Sequence, residues 1–227
     1  MLSNIIAICN QKGGVGKTTT AINLAAALAG AGKKILIIDL DPQGNASTGL
    51  GIDYANRDKS IYEVLASSIA FDESVSKTNL ENLFIIPSNV ELSGIEPELA
   101  NESDKAFVLK SLINNSNSIK TFDYIFIDCP PALSLLTVMA MTSANSVLVP
   151  LQCEFFALEG LSQLIKTVDR VQKNLNPSLS IDGIILTMFD KRNKLSTQVA
   201  MDVKKHLQEK VFETMIPRNV RVSEAPS

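Results

Sequence analysis

The chain of 227 residues has no tryptophan, one histidine and three cysteines, and each shortage removes a class of function. A lone histidine, His206, builds neither a metal site nor a nucleophile–base relay; in its lysine-bearing helical stretch it reads as a solvated side chain. Cys9, Cys129 and Cys153 show no Cys-x-x-Cys or Cys/His spacing. Each lies in or beside an apolar run, the setting of a buried free thiol rather than of a redox pair or cluster ligand. No apolar run approaches the roughly 20 residues of a membrane helix. The N-terminus enters a strand-like segment directly, without the charged, apolar and small-residue succession of a signal peptide. The expected compartment is the cytoplasm. Internal repeats, low-complexity tracts and linkers are absent too, so 1–227 is expected to be one domain.

What is present is 45% hydrophobic and 20% charged, the balance of a globular domain. The net charge of −3 conceals an asymmetry. From Asp190 to Arg221 there are eight Lys/Arg against four Asp/Glu, a local +4, whereas the remainder carries 13 basic and 20 acidic residues, or −7. A charge run is commonly a solvated face, but this sign reversal makes the C-terminal third the place for a polyanion surface.

Short Ile/Val/Leu-rich runs predict strands at 5–10, 35–40, 83–87, 124–128, 146–151, 181–188 and 211–216. Several do not alternate with polar residues, as expected of strands covered on both faces. Helices are predicted at 18–31, 61–66, 105–116, 134–143, 158–174 and 196–210, with Gly30 and Gly32 closing the first; 49–60 is the most loop-like part. The alternation implies an α/β, doubly wound, mostly parallel sheet with helices on both faces and ligands at the carboxyl ends of its strands. The last residues, Ser223-Glu-Ala-Pro-Ser227, read as loop, and a C-terminal helix is expected beyond them.

The first strand runs into Gln11-Lys-Gly-Gly-Val-Gly-Lys-Thr-Thr19 and then a helix, the context a phosphate loop requires. Gly13, Gly14 and Gly16, with Val15 between them, let backbone N–H groups close around phosphate oxygens. The helix N-terminus adds partial positive charge. Lys17 is placed to reach the β and γ phosphates and the Thr18 hydroxyl to ligate magnesium, with Thr19 following. The ordinary pattern opens on glycine where this chain has Gln11, and a second lysine, Lys12, precedes the glycines. Asp128 ends an apolar strand without an evident partner; holding magnesium is its expected role, a helix cap the alternative. Asp39 and Asp41 end the second strand similarly.

The Lys-Gly-Gly-x-Gly-Lys-Thr-Thr form is similar to the deviant Walker A loop of the ParA/MinD superfamily. Four further stretches resemble blocks of ParA/Soj-type partition ATPases over essentially the whole chain: Ile37-Ile-Asp-Leu-Asp-Pro-Gln-Gly-Asn-Ala46, Ile127-Asp-Cys-Pro-Pro131, Pro150-Leu-Gln-Cys-Glu-Phe-Phe-Ala-Leu-Glu-Gly160 and Ile216-Pro-Arg-Asn-Val-Arg-Val-Ser-Glu-Ala-Pro226. Relatives continue past that last block, and the start at Met1 leaves no room for the N-terminal helix-turn-helix domain of larger plasmid relatives.

The resemblance implies a P-loop ATPase using ATP and magnesium. Asp41 would orient or deprotonate the attacking water and join Thr18 and Asp128 near the metal; Asp39 would be an outer magnesium residue. Lys12 would reach across a nucleotide-sandwiched homodimer to the partner's phosphates. Met188, Pro217 and Asn219 would contact adenine, though packing or turn chemistry explains each equally well. Arg192 and Arg221 would belong to a surface for non-specific double-stranded DNA, with Lys191, Lys194, Lys204, Lys205 and Arg218 as weaker members. The local +4 agrees, since backbone binding needs clustered cations and no base-reading element. A ParB-type protein would stimulate hydrolysis, and the ATPase would be nucleoid-associated. Rival readings are a MinD-like membrane-cycling ATPase, which needs a C-terminal amphipathic helix; a metal-cluster ATPase, whose paired cysteines are missing; and a non-enzymatic binding module, disfavoured by the hydrolytic carboxylates.

Overall fold

The computed structural model describes residues 3–219. Seven strands, β1 (Asn4–Ile8), β2 (Ile35–Asp39), β3 (Ser76–Lys77), β4 (Leu83–Ile86), β5 (Tyr124–Asp128), β6 (Ser146–Gln152) and β7 (Ser180–Thr187), form one sheet in the order β3-β4-β2-β5-β1-β6-β7. All neighbours are parallel except the short edge strand β3, which runs antiparallel to β4. The helices are α1 (Lys17–Gly30), α2 (Asn45–Gly49), α3 (Ile61–Leu65), α4 (Ile95–Glu98), α5 (Val108–Asn115), α6 (Leu135–Ser143), α7 (Ala157–Asn174) and α8 (Lys194–Leu207). Arg221 and the residues around it lie outside the described part.

Both faces of the sheet are buried, which explains the unbroken apolar runs. Ile6, Ile8, Ile35, Ile37 and Phe126 pack with α1, while Ala7, Leu36, Ile38, Ile125 and Ile127 point into a larger cluster with residues of α3, α5, α6, α7 and α8. On α1, Ala21, Ala25 and Ala29 recur at i+4 and let that helix lie close to the strands. Gly32 at φ +82° ends it. The central position of β1 between β5 and β6 places the loop that follows it at the carboxyl edge, beside the ends of β2 and β5.

The predicted strand 211–216 does not form. Single bridges join Val211 to Ile184 and Pro217 to Phe189, with Phe212 N donating to Ile184 O at 3.0 Å and Ile216 N to Leu186 O at 2.8 Å. Glu213 and Thr214 interrupt the apolar run and stay exposed, so the segment bridges β7 only near its two ends. The predicted helix 105–116 divides into a 3₁₀ turn at Lys105–Phe107 and α5; helix 196–210 starts earlier, with Asn193 accepting from Leu195 N, and ends in a 3₁₀ turn at Gln208–Lys210. Helix α2 falls where no element is predicted, since Asn, Ser, Thr and Gly are weak helix formers; Gly44 at φ +60° starts it.

Candidate active site

The loop between β1 and α1 depends on two left-handed glycines, Gly14 at φ +73° and Gly16 at φ +87°. Gly16 is the N-cap of α1, and no side chain caps the helix, so its first N–H groups are left for an anion. The loop is anchored at both ends. Asn10 Nδ2 donates to Pro150 O at 2.7 Å while Asn10 Oδ1 accepts from Lys12 N at 3.0 Å. Thr187 Oγ1, at the end of β7, donates to the buried Val15 O at 2.8 Å. Sequence singles out neither Asn10 nor Thr187, because the partners that make them anchors, Pro150 and Val15, are far from them along the chain.

The two loop lysines occupy opposite environments. Lys17 is buried, and its Nζ donates to Lys12 O at 3.2 Å. Burial holds its pKa below the usual lysine value, opposed by the negative charge of Asp128 and Asp41. Lys12 lies at the mouth, 44% exposed, and its Nζ forms an ion pair with the Glu154 carboxylate from the β6–α7 connection.

Three carboxylates end β2 and β5 and are not equivalent. Asp39 and Asp128 are register partners on adjacent strands, both fully buried. Asp39 accepts from Ser47 N at 2.8 Å and Ser47 Oγ at 2.7 Å; burial raises its pKa to about 6 despite those bonds. It organises the turn into α2. Both oxygens of Asp128 are buried without a hydrogen-bond partner among the described residues. Burial, and then the Asp39 charge, push its pKa up to about 8, while the nearby Thr18 hydroxyl acts the other way. An orphaned buried carboxylate beside a hydroxyl and a buried ammonium is where a divalent cation belongs. All-oxygen donors suit magnesium rather than a soft metal. Among the described residues no group of three or more His, Cys, Asp or Glu could hold a metal, so the protein supplies only part of a coordination shell.

Asp41, 7% exposed, accepts from Gln43 N at 3.0 Å and is close enough to affect both Lys17 and Asp128. Its loop is held by Arg57, which sequence reasoning missed. Arg57 is 5% exposed and donates to Gly44 O and Ser88 O, both at 3.3 Å, to Thr48 Oγ1 at 2.8 Å and to Ile52 O. A Cβ on Gly44 would come within 2.4 Å of that guanidinium, so this glycine is required twice, by its φ and by space.

Met188, Pro217 and Asn219 are brought together. They line a cavity of ≈ 710 Å³ with Gly16, Thr19 and Thr20, whose apolar wall includes Phe126 and Leu148. Met188 adopts φ +49°, and its Cε would lie 3.8 Å from a Cβ on Gly16. A flat apolar group attached to a polyanion on the loop fits this juxtaposition.

The basic third is only partly united. Lys191, Arg192 and Arg218 line a second cavity, but so do Asp190 and Glu213. The Arg192 guanidinium is already paired with Asp190, Nε–Oδ1 3.1 Å and Nη2–Oδ2 3.0 Å. Lys194 opens α8 while Lys204 and Lys205 lie in its last turn, about 15 Å away at 1.5 Å per residue. His206 is exposed as expected. All three cysteines are free and buried. Cys9 and Cys129 place their sulfur atoms 3.2 Å apart behind the loop, and burial pushes the thiol of Cys153 up to about 11.

Residues 3–181 match a family model described as an AAA domain. Chromosome partitioning protein ParA of Caulobacter vibrioides is 53% identical over 223 residues, covering 98% of this chain and 84% of that protein. Sporulation initiation inhibitor protein Soj of Bacillus subtilis is 50% identical over 226 residues, 100% of this chain and 88% of that one. In three dimensions the chain is similar to a Mycobacterium smegmatis protein described as cobyrinic acid a,c-diamide synthase, solved with a bound ATP analogue and magnesium. The TM-score is 0.89 at 36% identity, covering 99% of this chain and 91% of that one.

Proposed function

This chain belongs to the ParA/Soj family of chromosome-partitioning ATPases, and on that premise we propose that it drives DNA segregation by an ATP-dependent cycle of dimerisation, non-specific DNA binding and release. The observation that carries the reading is the division of labour between the two loop lysines: Lys17 is buried among the carboxylates, and Lys12 stands exposed at the mouth. One lysine suffices for a closed monomeric phosphate site. A second, outward-facing one gains a role when another nucleotide is presented to it.

In this reading the loop 12–19 binds the triphosphate of ATP through its N–H groups and Lys17, and the base enters the cavity of Met188, Pro217 and Asn219. Thr18 and Asp128 would hold magnesium, with Asp41 beside them, where the ion would supply positive charge against the phosphates. Asp41 positions the attacking water, its own orientation fixed through the turn that Arg57 clamps. Lys12 reaches the partner's phosphates and makes the dimer conditional on ATP. Pairing two copies doubles the basic surface of Lys191, Lys194, Lys204, Lys205 and Arg218, so that DNA binding follows nucleotide state by charge addition. Arg192 joins that surface by exchanging Asp190 for a phosphate. No helix among the described residues is long and apolar enough to cross a membrane. In this reading the ATP-bound form associates with the nucleoid through its DNA contacts. Turnover is slow until a ParB-type protein stimulates it.

The test is phosphate release measured alone, with duplex DNA, and with DNA plus the cognate ParB-type protein. A rise that needs both additions is expected. Equal rates in all three, or DNA affinity insensitive to salt between about 50 and 200 mM, would overturn the reading.

A further inference from the structure

Cys9 and Cys129 are 120 positions apart, a separation that hides them from any spacing rule, and the fold brings their sulfur atoms to 3.2 Å. Parallel pairing is the cause. Ile8 and Asp128 are register partners on β1 and β5, and Cys129 N donates to Ile8 O at 3.3 Å, so the next residue of each strand meets its counterpart. Cys9 Sγ donates to Cys129 Sγ, leaving only a hydrogen between the two sulfurs. Both thiols are free and 1% exposed. Packing alone does not call for sulfur here, since a pair of small apolar side chains would fill the same space.

The pair also stands where the site is most sensitive to movement. Cys9 runs into Asn10, whose side chain anchors the phosphate loop through Pro150 O and Lys12 N. Cys129 follows Asp128, the buried carboxylate without a partner among the described residues. A bond between these sulfurs ties together the two strand ends that position the loop and the carboxylate.

We propose that Cys9 and Cys129 are a reversible modification site, closed to a disulfide by a peroxide and reopened by a thiol reductant, and that closure disables the phosphate loop. The second half rests on that loop being the ATP site; the first half does not. One sulfur attacks a peroxide oxygen, the O–O bond breaks, and a sulfenic acid and one water result. The other sulfur then displaces the sulfenic oxygen as a second water. Two thiols and one hydrogen peroxide thus become one disulfide and two waters, the sulfurs oxidised and the peroxide reduced. Hydrogen peroxide is neutral and little larger than water, the kind of oxidant a buried pair admits, whereas bulky disulfides are shut out. The second step is intramolecular and its partner is already in contact, which favours the disulfide over further oxidation. Neighbouring strands lie roughly 4.8 Å apart, while the Cβ atoms of a relaxed disulfide are about 3.8 Å apart. Closure therefore draws the ends of β1 and β5 together, and the strain makes the bond easy to reduce. A displacement on the order of 1 Å is enough to cost about 100-fold at a preorganised site.

The test exposes the 227-residue chain, free of nucleotide, to hydrogen peroxide, caps the remaining thiols with N-ethylmaleimide in denaturant and maps the peptides by mass spectrometry. One capped thiol, Cys153, is expected, with a Cys9–Cys129 cross-linked peptide lighter by two hydrogens. Affinity for a fluorescent non-hydrolysable ATP analogue should fall about 100-fold and return with dithiothreitol. Cys9→Ala should bind the analogue as the parent does and lose the response to peroxide, whereas Cys153→Ala should keep it. Three capped thiols after peroxide, or sulfinic acid at Cys9 or Cys129 in place of the cross-link, would overturn the site on the unmodified chain alone. A cross-linked chain that binds the analogue as tightly as the reduced one would overturn the switch and leave the phosphate site standing. A reduced chain that fails to bind the analogue would overturn the ATP reading and, with it, only the second half of the proposal.

Discussion

The inner wall and the outer rim of the phosphate loop are built on opposite principles, although their lysines are only five positions apart. At the wall, Lys17 and Asp128 are both nearly or wholly inaccessible, and each is held away from its ordinary pKa by burial. That site is preorganised and electrostatically incomplete until a nucleotide and a cation arrive. At the rim, Lys12 and Glu154 neutralise each other in water, beside the exposed rings of Phe155 and Phe156. The rim is complete as a monomer surface and gains only when another surface covers it. Stored electrostatic demand suits chemistry, and exchangeable weak contacts suit a reversible switch.

Substitutions sharpen this contrast in order of size. Lys17→Ala should abolish nucleotide binding and lower kcat/KM by at least about 10³-fold, measured by titrating a fluorescent ATP analogue alongside phosphate release; near-normal affinity would mean the wall is not the phosphate site. Asp41→Ala should lower turnover by about 10²–10⁴-fold while ATP still binds, so that dimers accumulate in light scattering. Lys12→Ala should separate rim from wall: analogue binding to the monomer within about tenfold of normal, with ATP-dependent dimers lost. Dimers unchanged by that substitution would erase the distinction drawn here.

Asp128 provides a test through pH. Its folded pKa of about 8 lies above the roughly 3.9 of an unfolded aspartate. The folded state therefore keeps a proton that the unfolded state has lost, and its contribution is full below about pH 4, declines as pH rises, and is gone above pH 8. In metal-free protein, Asp128→Asn should flatten that decline and raise stability at pH 8 and above by about 1–3 kcal/mol, while removing magnesium-dependent hydrolysis. Thermal melts in EDTA between about pH 5 and 9 would reveal it. A variant less stable than the parent at pH 9 would contradict an uncompensated carboxylate. The smallest effect belongs to the rim: Glu154→Gln should lower the ATP concentration for half-maximal dimerisation about two- to threefold, the scale of an exposed pair.

Much of the molecule was legible in the residues themselves. Unbroken apolar runs such as Ile35-Leu-Ile-Ile required burial on both faces, and six of the seven predicted strands form. The loop was equally plain, because Gly14 and Gly16 meet a local backbone demand and Lys17 and Thr18 follow at fixed offsets. The predicted strand at 211–216 failed because an apolar pattern says nothing about how many neighbours a segment will have. Asp39 and Asp128 look alike in sequence, each closing an apolar strand, and the positions of Ser47 and the Asp41 N–H gave the first its partners while the second has none among the described residues.

Local pattern thus determined the sheet, the loop and the identity of the charged groups, since each depends on residues within one or two turns of chain. Tertiary structure decided the pairings. Glu154 meets Lys12 across 142 positions and Thr187 meets Val15 across 172, separations over which no periodicity carries information. The parallel order of β1 between β5 and β6 brings those distant strand ends to one edge. A lysine that is merely unusual in the sequence there becomes one with a cis partner to exchange.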